Sequence, residues 1–141
     1  MFDTGNDLQA IAYLLHHGGL HTGDQFADAF TMALDVCAAA YAVAEADIPD
    51  EFFTDEIASI TLIESSPRTM AAIKAISDVL DSTVCETRQP DGTYVPDYIE
   101  HVSNWAAAAS PVDPKRPPTI SEVIGRILRA ANHAATQNPA A

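Results

Sequence analysis

His16, His17 and His21 stand within six residues of one another. Neutral imidazole ligates zinc and nickel well, so these three are the chain's candidates for a metal site. Metal-binding helices usually place histidines at i and i+4. Here the spacing is i, i+1 and i+5, with Gly18 and Gly19 between, and no cysteine or carboxylate sits at a recognisable ligand spacing. A helix end whose imidazoles meet the negative pole of the dipole accounts for the same residues, and no bound metal or other cofactor is expected. A second concentration is acidic. Glu45, Asp47, Asp50, Glu51, Asp55 and Glu56 put six carboxylates in twelve residues, with Phe52 and Phe53 inside the run. The run lacks the alternating ligands, central glycine and closing glutamate of an EF-hand. It reads either as a solvated loop or as a docking surface for a basic protein patch. In the second case the two phenylalanines are an anchor inside a charged rim. They would serve equally as core residues.

Other chemistry is thin. Asp3-Thr4-Gly5 spells the tripeptide of aspartic proteases, but it leads into a helical pattern and has no second copy to share a proton with. There is no G-x-S-x-G elbow, no Walker-type loop and no G-x-G-x-x-G. Trp105 falls on the apolar side of its segment and reads as core. The sequence therefore favours binding over catalysis.

Charge sharpens that reading. The net charge is −13, and it is polarised. Residues 1–67 hold eight Asp and four Glu with no Lys or Arg, whereas the remainder is close to neutral. An acidic half repels DNA, RNA and anionic membranes, so no direct nucleic-acid or membrane binding is expected and a basic protein surface is the natural complement. Lys115, Arg116, Arg126 and Arg129 form the one basic concentration. They are expected to face the acidic half, within the chain or across a homo-oligomer interface.

The elements that must position these residues are helical. A chain of 141 residues with 48% hydrophobic side chains, rich in alanine and poor in aromatics, fits one all-α domain, a bundle of about five to six helices. Leu8, Ile11, Ala12 and Leu15 predict a helix over residues 6–17, capped by Asn6 and stopped by Gly18-Gly19. Phe26, Phe30, Ala33, Leu34, Cys37, Tyr41 and Ala44 predict a long central helix over residues 24–46, with Asp24, Asp28, Thr31 and Asp35 on its wet face. Residues 57–64 fit a short helix or a strand. Ser66-Pro67 starts a helix carrying Met70, Ile73, Ile76 and Leu80. Gln89-Pro90-Asp91-Gly92 allows a short hairpin within residues 82–96. Helical spacing resumes from Tyr98 to Ala109. After the proline-rich Ser110–Pro118, Thr119 and Glu122 form a capping box for a last helix, with a frayed tail from about residue 136. Cys37 and Cys85 are far apart, and the N-terminus shows no secretory signal, so a cytoplasmic protein with reduced thiols is expected. The excess of Arg over Lys, with the abundant alanine, points to a high-GC bacterial or phage genome.

The order of features resembles an uncharacterised family of small helical proteins from actinobacteria and their phages. The matching pieces are Leu14-Leu15-His16-His17-Gly18, Val36-Cys37-Ala38-Ala39-Ala40, Trp105, and Thr119-x-x-Glu122-Val123 with Leu128 and Ala131. The chain departs from that family in having Asn104 before the tryptophan and no Asn-Asp pair after it. The resemblance implies a helical fold and no known activity. Three readings follow. The first is a non-enzymatic accessory or regulatory protein, phage- or mobile-element-encoded, that offers its acidic half to a basic partner. The second is an acidic DNA mimic that blocks a DNA-binding enzyme. The third is a small metal-dependent enzyme or sensor using the histidines.

Overall fold

Most of the described helices begin where an oxygen-bearing side chain takes up an unpaired backbone N–H. The structure is a computed structural model that describes residues 3–107 and 116–137. Among these residues, seven helices and one two-stranded sheet follow in the order α1 (Thr4–Gly18), α2 (Val36–Glu45), α3 (Glu51–Thr54), α4 (Glu56–Glu64), α5 (Pro67–Asp78), β1 (Cys85–Arg88), β2 (Tyr94–Asp97), α6 (Tyr98–Ala107) and α7 (Ile120–Gln137). Asp3 Oδ1 caps α1 by accepting from Asn6 N–H at 3.0 Å, Asp35 caps α2 through Cys37 N–H at 2.7 Å, and Asp55 caps α4 through Ala58 N–H at 3.0 Å. Ser66 does the same for α5 through Thr69 N–H at 3.2 Å. Ahead of α7, Thr119 and Glu122 exchange the two bonds of the capping box predicted from their spacing.

Two helices organise the packing. α2 touches α1, α4, α5 and α6, and α5 touches α1, α2, α4, α6 and α7, while α1 lies along α7. The core is built from Leu8, Ile11 and Leu15 of α1, Val36–Ala40 of α2, Ile73 and Ile76 of α5, Val102 of α6, and Val123 and Ile127 of α7. The small side chains of Ala38, Ala39 and Ala40, all buried, let neighbouring backbones approach α2 closely. One charged tie joins α5 to α1. Arg68 donates from Nε and Nη2 to the two oxygens of the buried Asp7 at 2.8 and 2.7 Å.

The structure corrects the sequence reading in four places. The long central helix over residues 24–46 does not form: α2 spans only Val36–Glu45, and residues 20–35 are an irregular loop. Asp35 sets the start of α2 by capping it, and the backbone around Ala27 and Leu34 pairs with itself instead. The fold is mostly helical and not purely all-α, because the short hairpin allowed around the Gln89–Gly92 turn forms, with β1 and β2 antiparallel and Cys85 opposite Asp97. The described helices number seven against the five to six expected, and residues 57–64, open between helix and strand in the sequence, are helical. The first helix begins earlier than its spacing suggested: Asp3 is its cap and Asn6 lies inside it, so the Asp-Thr-Gly tripeptide is a helix start. Most of the proline connector and the tail beyond residue 137 lie outside the described residues.

Burial separates the phenylalanines. Phe52 is 0% exposed, with ring contacts to Phe26 at 6.1 Å and Tyr41 at 5.4 Å, whereas Phe30 is 99% exposed. Phe52→Ala is expected to cost about 3–5 kcal/mol in equilibrium denaturation. Phe30→Ala should change stability by no more than about 0.5 kcal/mol. Similar losses for the two variants would contradict the packing described.

Candidate functional site

The acidic run sits where α2 ends and α3 and α4 begin. Glu45, in the last turn of α2, accepts a 2.7 Å hydrogen bond from Ser66 Oγ, and Asp55 is committed to capping α4. Asp47, Asp50, Glu51 and Glu56 make no ion pair with a described residue, and Asp47, Asp50 and Glu56 are exposed. Phe52 is not available as an anchor, because the short α3 turns it inward between Phe26 and Tyr41. Phe53 is half-buried. Tyr41 is half-buried as well, and partial burial beside Glu45, Asp47 and Glu51 raises its phenol above the ordinary range. Ile48 and Ile57 add exposed apolar surface to the same stretch.

A second segment joins this face. Phe26 N–H donates to Phe52 C=O at 3.0 Å, which fastens the 20–35 loop to α3. Beyond Phe26 the chain turns back on itself: Asp28 N–H donates to Ala33 C=O at 2.9 Å, and Asp35 N–H to Phe26 C=O at 2.8 Å. At the tip, the Asp28 carboxylate accepts from Phe30 and Thr31 N–H at 2.8 and 3.3 Å. Those bonds hold its pKa below the ordinary value. Phe30 and Met32 project into solvent. Sequence reasoning placed Phe30 on a buried helical stripe. The signal against that stripe was Asp28 and Asp35, both residues that capture backbone N–H groups.

Three of the described cations are spent within the C-terminal half. Arg126 pairs with Asp81 at 2.7 Å and donates to Val79 C=O at 2.8 Å, Arg116 pairs with Glu122 at 2.8 Å, and Lys74 pairs with Asp78 at 2.9 Å. Arg116 and Arg126 thus pair inside the C-terminal half, contrary to the sequence expectation, because carboxylates one turn or one helix away are nearer. Lys115 lies outside the described residues. Arg129 lines an open groove of about 500 Å³ between the end of α5 and α7, together with Asp78, Asp81, Asn132 and His133. Among the described residues, Arg68–Asp7 is the ion pair that links the acidic half to the rest.

The histidines do not converge. The rings of His16 and His17 lie edge to face at 4.9 Å, His17 stacks on Tyr13 at 4.1 Å, and His21 Nε2 lies 2.7 Å from the Asp24 carbonyl. Among the described residues, no three His, Cys, Asp or Glu side chains come together as a metal site. Two interior polar clusters escaped sequence reasoning. His101, buried, bridges Ser77 Oγ at 2.6 Å and Ser82 Oγ at 2.8 Å, tying α6 to the end of α5. Burial lowers its pKa, so the imidazole is neutral, with one nitrogen donating and the other accepting. Asp35, only 6% exposed, accepts from Ser103 Oγ at 3.3 Å as well as from Cys37 N–H. Cys37 Sγ donates to Ile99 C=O at 3.7 Å, and burial pushes its thiol well above the ordinary range, which leaves it unreactive.

Compared with known proteins, the chain matches no family model, no curated protein and no solved structure. Among the described residues, no helix is long and apolar enough to cross a membrane.

Burial drives the Asp35 carboxyl up from its ordinary 3.8 to about 6. The folded state therefore holds a proton there that the unfolded chain releases. The resulting stability is fully present below pH 3.8 and is lost as pH rises through about 6. Asp35→Asn keeps the capping oxygen and removes the charge. Relative to the unchanged protein, it should gain on the order of 2 kcal/mol at neutral pH and little near the carboxylate's ordinary pKa. Urea denaturation of both proteins at the two pH values checks this, and an equal difference at both would refute it.

Proposed function

We propose that this chain is a non-enzymatic, cytoplasmic accessory or regulatory protein. It binds a basic protein through the acidic face formed by the Ala46–Asp50 turn, α3 and the start of α4. The observation that carries this reading is the uncompensated charge. Asp47, Asp50, Glu51 and Glu56 have no cationic partner among the described residues, while Lys74, Arg116 and Arg126 are occupied by carboxylates of the other half. Charge that the fold leaves unneutralised acts at long range and steers a partner of opposite sign. Half-buried Tyr41 and Phe53, with exposed Ile48 and Ile57, supply apolar surface within the charged region. The DNA-mimic reading needs acidic groups spaced along one elongated face, supplied in part by Asp24, Asp28, Asp35 and the loop carboxylates. Asp35 is buried as a cap and Asp28 is bonded within its own loop, so these two carboxylates do not support that reading.

The test reverses charges that neither cap a helix nor pair with a described residue. Asp47→Lys, Asp50→Lys, Glu51→Lys and Glu56→Lys are combined in one variant. Both proteins are used to retain partners from cells of the native host across a salt gradient. The expected partner is basic, loses roughly tenfold or more in affinity as salt rises through the physiological range, and is not retained by the variant. A partner held equally by both proteins, or held without salt dependence, overturns the proposal.

A further inference from the structure

Phe30 is the most anomalous side chain on the described surface. A phenylalanine that is 99% exposed has gained nothing from folding, and the local turn does not need it. Turn tips are ordinarily filled by Gly, Asn, Asp or Ser. Met32, two residues on, is 57% exposed and holds a left-handed backbone (φ 63°), a conformation unfavourable for a side chain of this kind. Gln25, at the base of the same loop, is also left-handed (φ 67°), and its Oε1 is buried without a hydrogen-bond partner among the described residues. Local rules are broken several times within eight residues, the pattern seen where a loop is kept for what it presents.

The loop is nonetheless fixed. Besides the two backbone pairs that close it and the two bonds into the Asp28 carboxylate, Met32 N–H donates to Asp28 C=O at 2.8 Å and Ala33 N–H to Thr31 Oγ1 at 3.3 Å. Its base is bonded to α3, inside the acidic face. An aromatic held on a rigid support loses little conformational freedom on binding, and that saving distinguishes an anchor from an incidental exposed residue.

We infer that Phe30, flanked by Met32, is the anchor of the acidic face and inserts into an apolar pocket ringed by lysine and arginine side chains on a partner protein. The inference rests on the reading of that face given above. Charge decides the occupant. Asp28 accepts the Phe30 backbone N–H and Asp24 lies in the same loop, with no lysine or arginine anywhere in the first 67 residues. A pocket rimmed by cations complements this tip. A second copy of the same acidic face and an anionic lipid surface both repel it.

The experiment uses the full chain with Phe30 replaced by photoreactive p-benzoylphenylalanine, and as control the same replacement at Leu128, an exposed position on α7. Irradiation of native-host cells should give an adduct from position 30 and not from position 128. The cross-linked peptide should map to an apolar pocket bordered by Lys or Arg. For the captured protein, Phe30→Ala should weaken binding roughly 30-fold, and Phe30→Leu clearly less, with circular dichroism unchanged. Three outcomes overturn the inference. One is an adduct to a second copy of the chain, with a dimer in the ultracentrifuge that Phe30→Ala abolishes. Another is Phe30-dependent binding to phosphatidylcholine vesicles without a protein adduct. The third is Phe30→Ala affinity equal to that of the unchanged protein. If that equality is found while the four-lysine variant loses the partner, the anchor is wrong and the acidic face stands. If neither variant loses it, both readings fall.

Discussion

Sixty-seven residues that hold twelve carboxylates and no lysine or arginine must place those charges without cations of their own. The fold uses backbone N–H groups in their place. Asp3, Asp35 and Asp55 each take up free donors at a helix start, where the positive end of the helix dipole favours the anion, and Asp28 takes up two donors in a loop. Asp7 is buried in the first turn of α1, and it meets the first cation the chain offers, Arg68. That pair fixes the start of α5 against α1, and α5 is in turn the helix that most other elements touch. Caps and a single crossing ion pair together set where four helices begin and how two of them meet.

The same constraint explains which parts of the fold were legible in the sequence. α5 and α7 were legible because their caps, Ser66-Pro67 and Thr119-x-x-Glu122, agree with an uninterrupted apolar spacing behind them. The stretch from Asp24 to Ala46 has helical spacing throughout, yet only its last part is helical. Spacing records which residues are apolar, not which backbone donors are taken. Asp28 and Asp35 offer those donors partners outside a helix, and Phe26 and Leu34 find burial through long-range contact with α3 and through their own small hairpin. The contest between local spacing and these tertiary bonds cannot be weighed from a window of sequence.

The candidate face was legible in one dimension only. Its carboxylates declare themselves by density, and density survives any folding of a short loop. The orientation of each aromatic does not. Phe52 and Phe53 are neighbours, yet one is in the core and the other half out, because a single turn of helix sends adjacent side chains about 100° apart. Phe30 fell on an apparent core stripe and stands in solvent. His101 drew no notice because one isolated histidine has no pattern, and its meaning arises only when Ser77 and Ser82 approach from elsewhere in the chain.

Asp47, Asp50, Glu51 and Glu56 make no side-chain cap and no ion pair among the described residues. Their mutual repulsion opposes folding, and salt relieves it. A cationic partner relieves the same repulsion by direct pairing, so part of the energy stored in the free protein is returned on association. Asp35, buried and partly protonated near pH 6, works in the opposite place and by the opposite means, since its cost is desolvation and salt does not reach it. Surface and interior charge therefore answer to different variables. Salt tunes the face, and pH tunes the cap beneath α2. A loop whose base is bonded to both, at Phe52 C=O and at Asp35 N–H, carries Phe30 exposed beyond it.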